Sequence, residues 1–261
     1  MAPPPAPAPE SLRTLRSAVV AGKLAGTADL CDRVRAQYER NRDAEHAKND
    51  NQWFVDSFMA CYCLYAKTQV LTLAHDFPAA ELALAAARGY RTTHPETTMS
   101  HALPLFQELD AISAGLLLEK QGKLDAAVQA YLPANSSAKA TSRLAVISQT
   151  RGQTDQARTW AFINADDPTS QWVLAEVALK SNNNVVAQRH AAIAANLIQK
   201  SAAGTKEFMP VYYCEAPAIF ALRRNLQKFA PKPPAPAVTT PPPAPPPPPA
   251  APPLATGPGI P

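Results

Sequence analysis

The chain has 261 residues, 46% of them apolar, which excludes global disorder. Five prolines fall in residues 3–9 and sixteen in residues 231–261, leaving seven prolines and seven glycines from Glu10 to Ala230, too few turn formers for an all-β sandwich or barrel. The net charge of +4 comes wholly from residues 199–232, where Lys200, Lys206, Arg223, Arg224, Lys228 and Lys232 face only Glu207 and Glu215, so the chain lacks the broad basic face of a nucleic-acid reader.

In chain order, residues 1–9 form a Pro/Ala-rich tail. Proline donates no backbone hydrogen bond and biases its predecessor away from α, so polyproline II or disorder is expected there. Helices then follow one another with no convincing strand. Glu10–Ala21 and Ala28–Lys48 pair around Gly22 and Gly26; Gln52–Leu73 and Pro78–Thr92 turn at His75-Asp76. Pro104–Lys120 and Leu124–Leu132 turn at Gly122, and Ser136–Thr150 and Thr154–Ala165 turn at Gly152. Thr169–Lys180 and Asn184–Ser201 turn at Asn182. Residues 202–230 hold a last helix, about Ala216–Phe229, with Pro217 in its first turn and an apolar stripe of Ile219, Leu222, Leu226 and Phe229. Residues 231–261 form a second Pro-rich tail, reaching ~95 Å if extended at ~3.1 Å per residue.

The turns share a register. Gly122, Gly152 and Asn182 lie 30 residues apart, as do Ala127, Ala157 and Ala187, and Gly115, Ala145 and Ala175. Small residues on both helices of a pair permit close approach, and glycine or asparagine suits a left-handed turn. The string EKQGKLDAAVQAY, residues 119–131, carries Gly122, Leu124, Ala127 and Tyr131. In this pattern it resembles the tetratricopeptide repeat (TPR), and Ala114-Gly115 match the small pair of that repeat's first helix. Residues 74–96 are similar through Phe77, Ala80, Leu84 and Ala87, and residues 150–168 through Gly152, Ala157, Ala161 and Pro168. The usual TPR period is ~34 residues, whereas the clearest period here is 30; Pro133 accounts for part of the shortening. The resemblance implies an all-α, right-handed superhelical solenoid over residues 10–201 with residues 202–230 as its cap. A rival reading is an irregular helical bundle with chance alanine periodicity.

No catalytic constellation is visible. Phosphate loops, nucleophile elbows and zinc-protease motifs are absent, and His46, His75, His94, His101 and His190 lack partners at familiar ligand spacing. Cys31, Cys61, Cys63 and Cys214 are expected to be free buried thiols, as in a reducing compartment. No cofactor or metal is expected. The N-terminus lacks the basic and apolar regions of a secretory signal. The longest apolar run, Trp53 to Ala66, has 14 residues including Asp56, short of the ~20 a span needs. A cytoplasmic protein without a membrane span is the expectation.

Trp53, Phe54, Phe58 and Trp160 are expected in the core. Carrying the TPR register over, first helices would line a concave groove with Tyr62, Tyr65, Gln69, Leu109, Ile112, Leu116, Ser142, Val146, Gln149, Trp172 and Glu176. The Lys, Arg and Asn residues with which chaperone-binding members clamp a peptide carboxylate are missing from those positions. The expectation is a non-catalytic scaffold, a subunit of a larger assembly, presenting a partly exposed apolar groove to a partner peptide or helix. In the alternative, residues 231–261 are the ligand or spacer that engages a partner or the cell envelope. The basic terminal helix either complements its own dipole or touches an acidic surface.

Overall fold

The computed structural model describes residues 12–47, 52–99, 102–203 and 210–227. Both Pro-rich tails lie outside the described residues, so the expectations placed on them do too. Within the described residues the protein is all-α: eleven α-helices, a few 3₁₀ turns and no strand.

The helices are α1 (Leu12–Val20), α2 (Thr27–Ala47), α3 (Gln52–Leu73), α4 (Phe77–Thr93), α5 (Leu103–Lys120) and α6 (Leu124–Tyr131). They continue as α7 (Ala138–Thr150), α8 (Thr154–Ile163), α9 (Pro168–Lys180), α10 (Asn184–Ala203) and α11 (Ala216–Leu226). Local chemistry explains the boundaries. Side chains of Asp76, Ser137 and Asp167 accept backbone N–H groups at the starts of α4, α7 and α9, satisfying donors that no turn of the helix can reach. Pro133 ends α6 in a 3₁₀ turn at Leu132–Ala134. Gly122 and Gly152 take φ of +77° and +74° at the α5–α6 and α7–α8 turns, and Asn182 and His75 take +56° and +61° at the equivalent places. That left-handed backbone lets the chain reverse in a three-residue loop. Two 3₁₀ turns, Pro95–Thr98 and Pro210–Tyr212, were not legible as elements.

Each helix packs on its sequence neighbours, and α3, α5, α7 and α9 also contact one another in that order. Consecutive pairs are therefore joined through their first helices. The small residues occupy the contacts: Ala127, Ala157, Ala187, Ala145 and Ala175 are fully buried, and Gly115 lies directly against the ring of Tyr131. Ala157→Val should cost about 1 kcal/mol in thermal unfolding, because two added methyls find no space between α7, α8 and α9. An unchanged melting temperature would mean that the contact is loose.

The core is not confined to neighbouring pairs. Val211, Tyr213, Ala216 and Ile219 share one apolar cluster with Leu15 of α1, Tyr62 and Tyr65 of α3, Ile112 and Leu116 of α5, and Ile198 of α10. Helix α1 also touches α10, and Arg16 Nη1 donates to the Ser201 carbonyl at 3.3 Å. The segment 210–226 thus ties the first helices to the last.

Candidate functional site

The face formed by α3, α5 and α7 was expected to be open. It is filled by the chain's own residues 210–219. Tyr62, Tyr65, Gln69, Leu109, Ile112, Leu116, Ser142 and Val146 are buried, and only Gln149, Trp172 and Glu176 are partly exposed. The contiguous exposed apolar surface expected of Tyr65, Ile112, Leu116, Val146 and Trp172 is therefore corrected. Tyr65 packs toward the α4–α5 side instead, its ring stacked on Phe106 and its Oη donating to Asp110 Oδ1 at 3.3 Å. Val146 sits in a separate cluster between α7, α8 and α9, and Trp172 bridges that cluster and the main core. Among the described residues the most exposed large apolar side chains are Leu82 of α4, Phe162 of α8 and Val185 of α10.

Gln69 is the expected residue that does meet a peptide. Its Nε2 donates to Ser113 Oγ at 3.0 Å, and its Oε1 accepts the Val211 N–H at 3.0 Å. All of this is buried. A backbone N–H can only donate, so the amide orientation follows from the contact itself.

The second anchor is ionic. Arg143 of α7 is fully buried. Its Nε and Nη2 make a bidentate pair with Glu119 of α5, while Nη1 donates to Glu215 Oε1 at 2.8 Å. Lys120 Nζ stands 3.9 Å from the same Glu215 oxygen, and Tyr131 Oη donates to Glu119 Oε2 at 3.0 Å. Every guanidinium nitrogen is satisfied, which is what lets a charge persist in the interior. Burial by itself would raise the Glu215 carboxyl, but Arg143 and Lys120 outweigh it and hold the group below its ordinary value. Tyr213 adds a third contact, its Oη paired with Ser201 Oγ at 2.8 Å. Helix α11 then lays Leu226 among Ala175, Ala178, Ala187 and Ala191 of α9 and α10.

Because the folded pKa of Glu215 is depressed, its ion pair stabilises the protein above the unfolded carboxyl pKa. That stabilisation is lost as pH falls through the folded value. Glu215→Gln should therefore lower the melting temperature at neutral pH, and the gap to wild type should close as pH falls below the ordinary carboxylate range. A gap that stays constant with pH would show that the charge has no role.

The other candidate groups have structural partners. The rings of His94 and Tyr90 stack with centroids 3.8 Å apart, and Arg42 Nη1 lies 2.7 Å from His94 Nε2. His46 packs edge-on against Trp53, and His190 Nδ1 lies 2.7 Å from Gln171 Oε1. His101 lies outside the described residues. The four cysteines are free, and Cys214 is half-buried while the others are buried. Burial pushes the thiols of Cys31, Cys61 and Cys214 up to about 12, so they stay protonated near neutral pH. Among the described residues no three His, Cys, Asp or Glu side chains gather as metal ligands, and no helix is long and apolar enough to cross a membrane. A cleft of about 910 Å³ lined by α4, α5, the end of α6 and the connection before α7 has Arg88 and Asp110 joined at its edge by two 2.8 Å hydrogen bonds. Arg223 and Arg224 occupy the last turn of α11.

Sequence reading missed Arg143, Val211, Tyr213 and Glu215. The signal was present in PVYYC, an apolar run at 210–214 that no helix claims, followed at once by an acid. No protein-family model matches the chain, and no curated protein or solved structure is found similar to it.

Proposed function

We propose that this protein is a non-catalytic scaffold, built as a TPR-like right-handed solenoid of helix pairs, that binds a protein partner along its concave side. The contact order α3–α5–α7–α9 supports the stacking, since first helices of successive pairs meet in such an array. The shared turn conformation at Gly122, Gly152 and Asn182 supports the repeat. The observation that carries the functional reading is the peptide-holding chemistry of the inner face. Gln69 receives a backbone N–H and Arg143 receives a carboxylate, both from a segment remote in sequence. These are the means by which a groove holds a polypeptide.

Affinity capture from native lysate tests the reading, comparing the full chain with one ending at Ala230. Retention of the same proteins by both supports the scaffold. Retention that vanishes with residues 231–261 would transfer the activity to the polyproline tail, and no retained protein at all would overturn both readings.

A further inference from the structure

On the inner face, Gln69 and Arg143 hold one short stretch of the chain, from Val211 to Glu215. On the receptor side, Ser113 orients the Gln69 amide so that its oxygen points at the occupant. Glu119 takes two edges of the Arg143 guanidinium and leaves Nη1 for the occupant. The occupant contributes a backbone N–H at Val211, a buried aromatic ring at Tyr213 and a carboxylate at Glu215. The charges divide in the same way. Arg143, Lys120 and Glu119 belong to the receptor, so without Glu215 the buried site keeps one uncompensated positive charge. Arg143 is fully buried while Lys120 is part-exposed, and a guanidinium held in the interior favours an anion at its free Nη1. The favoured occupant is therefore acidic.

We infer that residues 210–219 are a resident pseudo-ligand, and that the groove's partner is a segment of another protein folded in the same way, a 3₁₀ turn leading into a helix, with an aromatic residue two positions before an acidic one. The inference rests on the scaffold reading and adds its specificity and its control. The resident segment follows α10 after residues 204–209, so its contacts are intramolecular. A short tether gives it an effective concentration in the millimolar range, and a partner binds only to the fraction of molecules in which the segment has left. The segment is thus a gate as well as a mimic.

The test uses the full chain and a fluorescent peptide copying residues 210–222, with Cys214→Ser to prevent oxidation. Glu215→Lys in the chain sets a lysine against Arg143 and Lys120 and expels the resident segment without altering the receptor. Fluorescence anisotropy should show the peptide binding this variant at least about tenfold more tightly than wild type. The same peptide carrying Glu215→Gln should bind the variant about tenfold more weakly. Should Glu215→Lys lose its cooperative melt, Tyr213→Phe, which removes only the hydroxyl bonded to Ser201, should still give about a threefold gain over wild type. Equal binding by wild type and folded variant, or none by either, would overturn the inference by showing the segment to be permanent core. A Glu215→Lys chain that becomes a dimer by light scattering would overturn it too, since the occupant would then be a second copy. The two readings fail separately: proteins captured by wild type while the variants leave peptide binding unchanged would remove the gate and keep the scaffold.

Discussion

Arg143→Met should lower the stability of the protein by about 3–5 kcal/mol, the cost of stranding buried charge. The substitution keeps an unbranched side chain of similar reach, so little packing is lost. What remains is Glu119 and Glu215 together in the interior, with the Tyr131 hydroxyl on Glu119 and Lys120 at 3.9 Å from each carboxylate. In a domain of this size the melting temperature should fall by roughly 6–20 °C. The effect belongs to the network rather than to arginine as such. Arg143→Met combined with Glu119→Gln should recover part of the loss, because the second change removes one of the stranded charges. A single variant within 1 °C or so of wild type would show that the pair is solvated and of the weak surface kind.

Gly115→Leu should cost about 3 kcal/mol, at the upper end of overpacking penalties. A Cβ at Gly115 would lie 2.4 Å from Tyr131 Cε1, 2.6 Å from Cδ1 and 2.7 Å from Cζ. Two effects compete. Replacing a mid-helix glycine gains up to ~1 kcal/mol of helix propensity, while the ring must move or α5 and α6 must separate. The ring cannot move cheaply: Tyr131 is fully buried and its hydroxyl is bound to Glu119, itself held by Arg143. The clash wins. Urea unfolding should show a lower midpoint even for Gly115→Ala, and a raised midpoint for that variant would mean the helices give way. Since the two sites share Tyr131 and Glu119, Gly115→Leu and Arg143→Met should not add.

The helices were legible because each carries its own punctuation. Gly122, Gly152 and Asn182 mark reversals, Pro133 a stop, and Ala127, Ala157 and Ala187 the close contacts; each is a local requirement on backbone or volume, readable from the residue itself. The groove was not legible in the same way. Tyr65, Ile112 and Leu116 were placed there by register, which fixes the helix they sit on but not what covers them. Tyr65 is covered by Phe106 of α5, and the cluster that buries Ile112 and Leu116 also takes in Val211 and Tyr213, ninety or more residues away in sequence. Arg143 escaped notice because its neighbours along the helix, Leu144 and Ala145, carry no sign of a buried charge. Its partners Glu119 and Glu215 are 24 and 72 residues away. Gln69 was placed on the inner face by the same register, and its amide, once buried there, has to hydrogen-bond something.

Residues 210–219 lie against the inner face, and the amide of Val211 reports that placement. It is buried at the middle of the Pro210–Tyr212 turn, and among the described residues its hydrogen-bond acceptor is Gln69 Oε1. Native-state hydrogen exchange should find this amide slowed by orders of magnitude relative to an unstructured peptide, and the slowing should disappear in Gln69→Leu. A Val211 amide that exchanges in the wild-type protein as fast as in a free peptide would contradict the account.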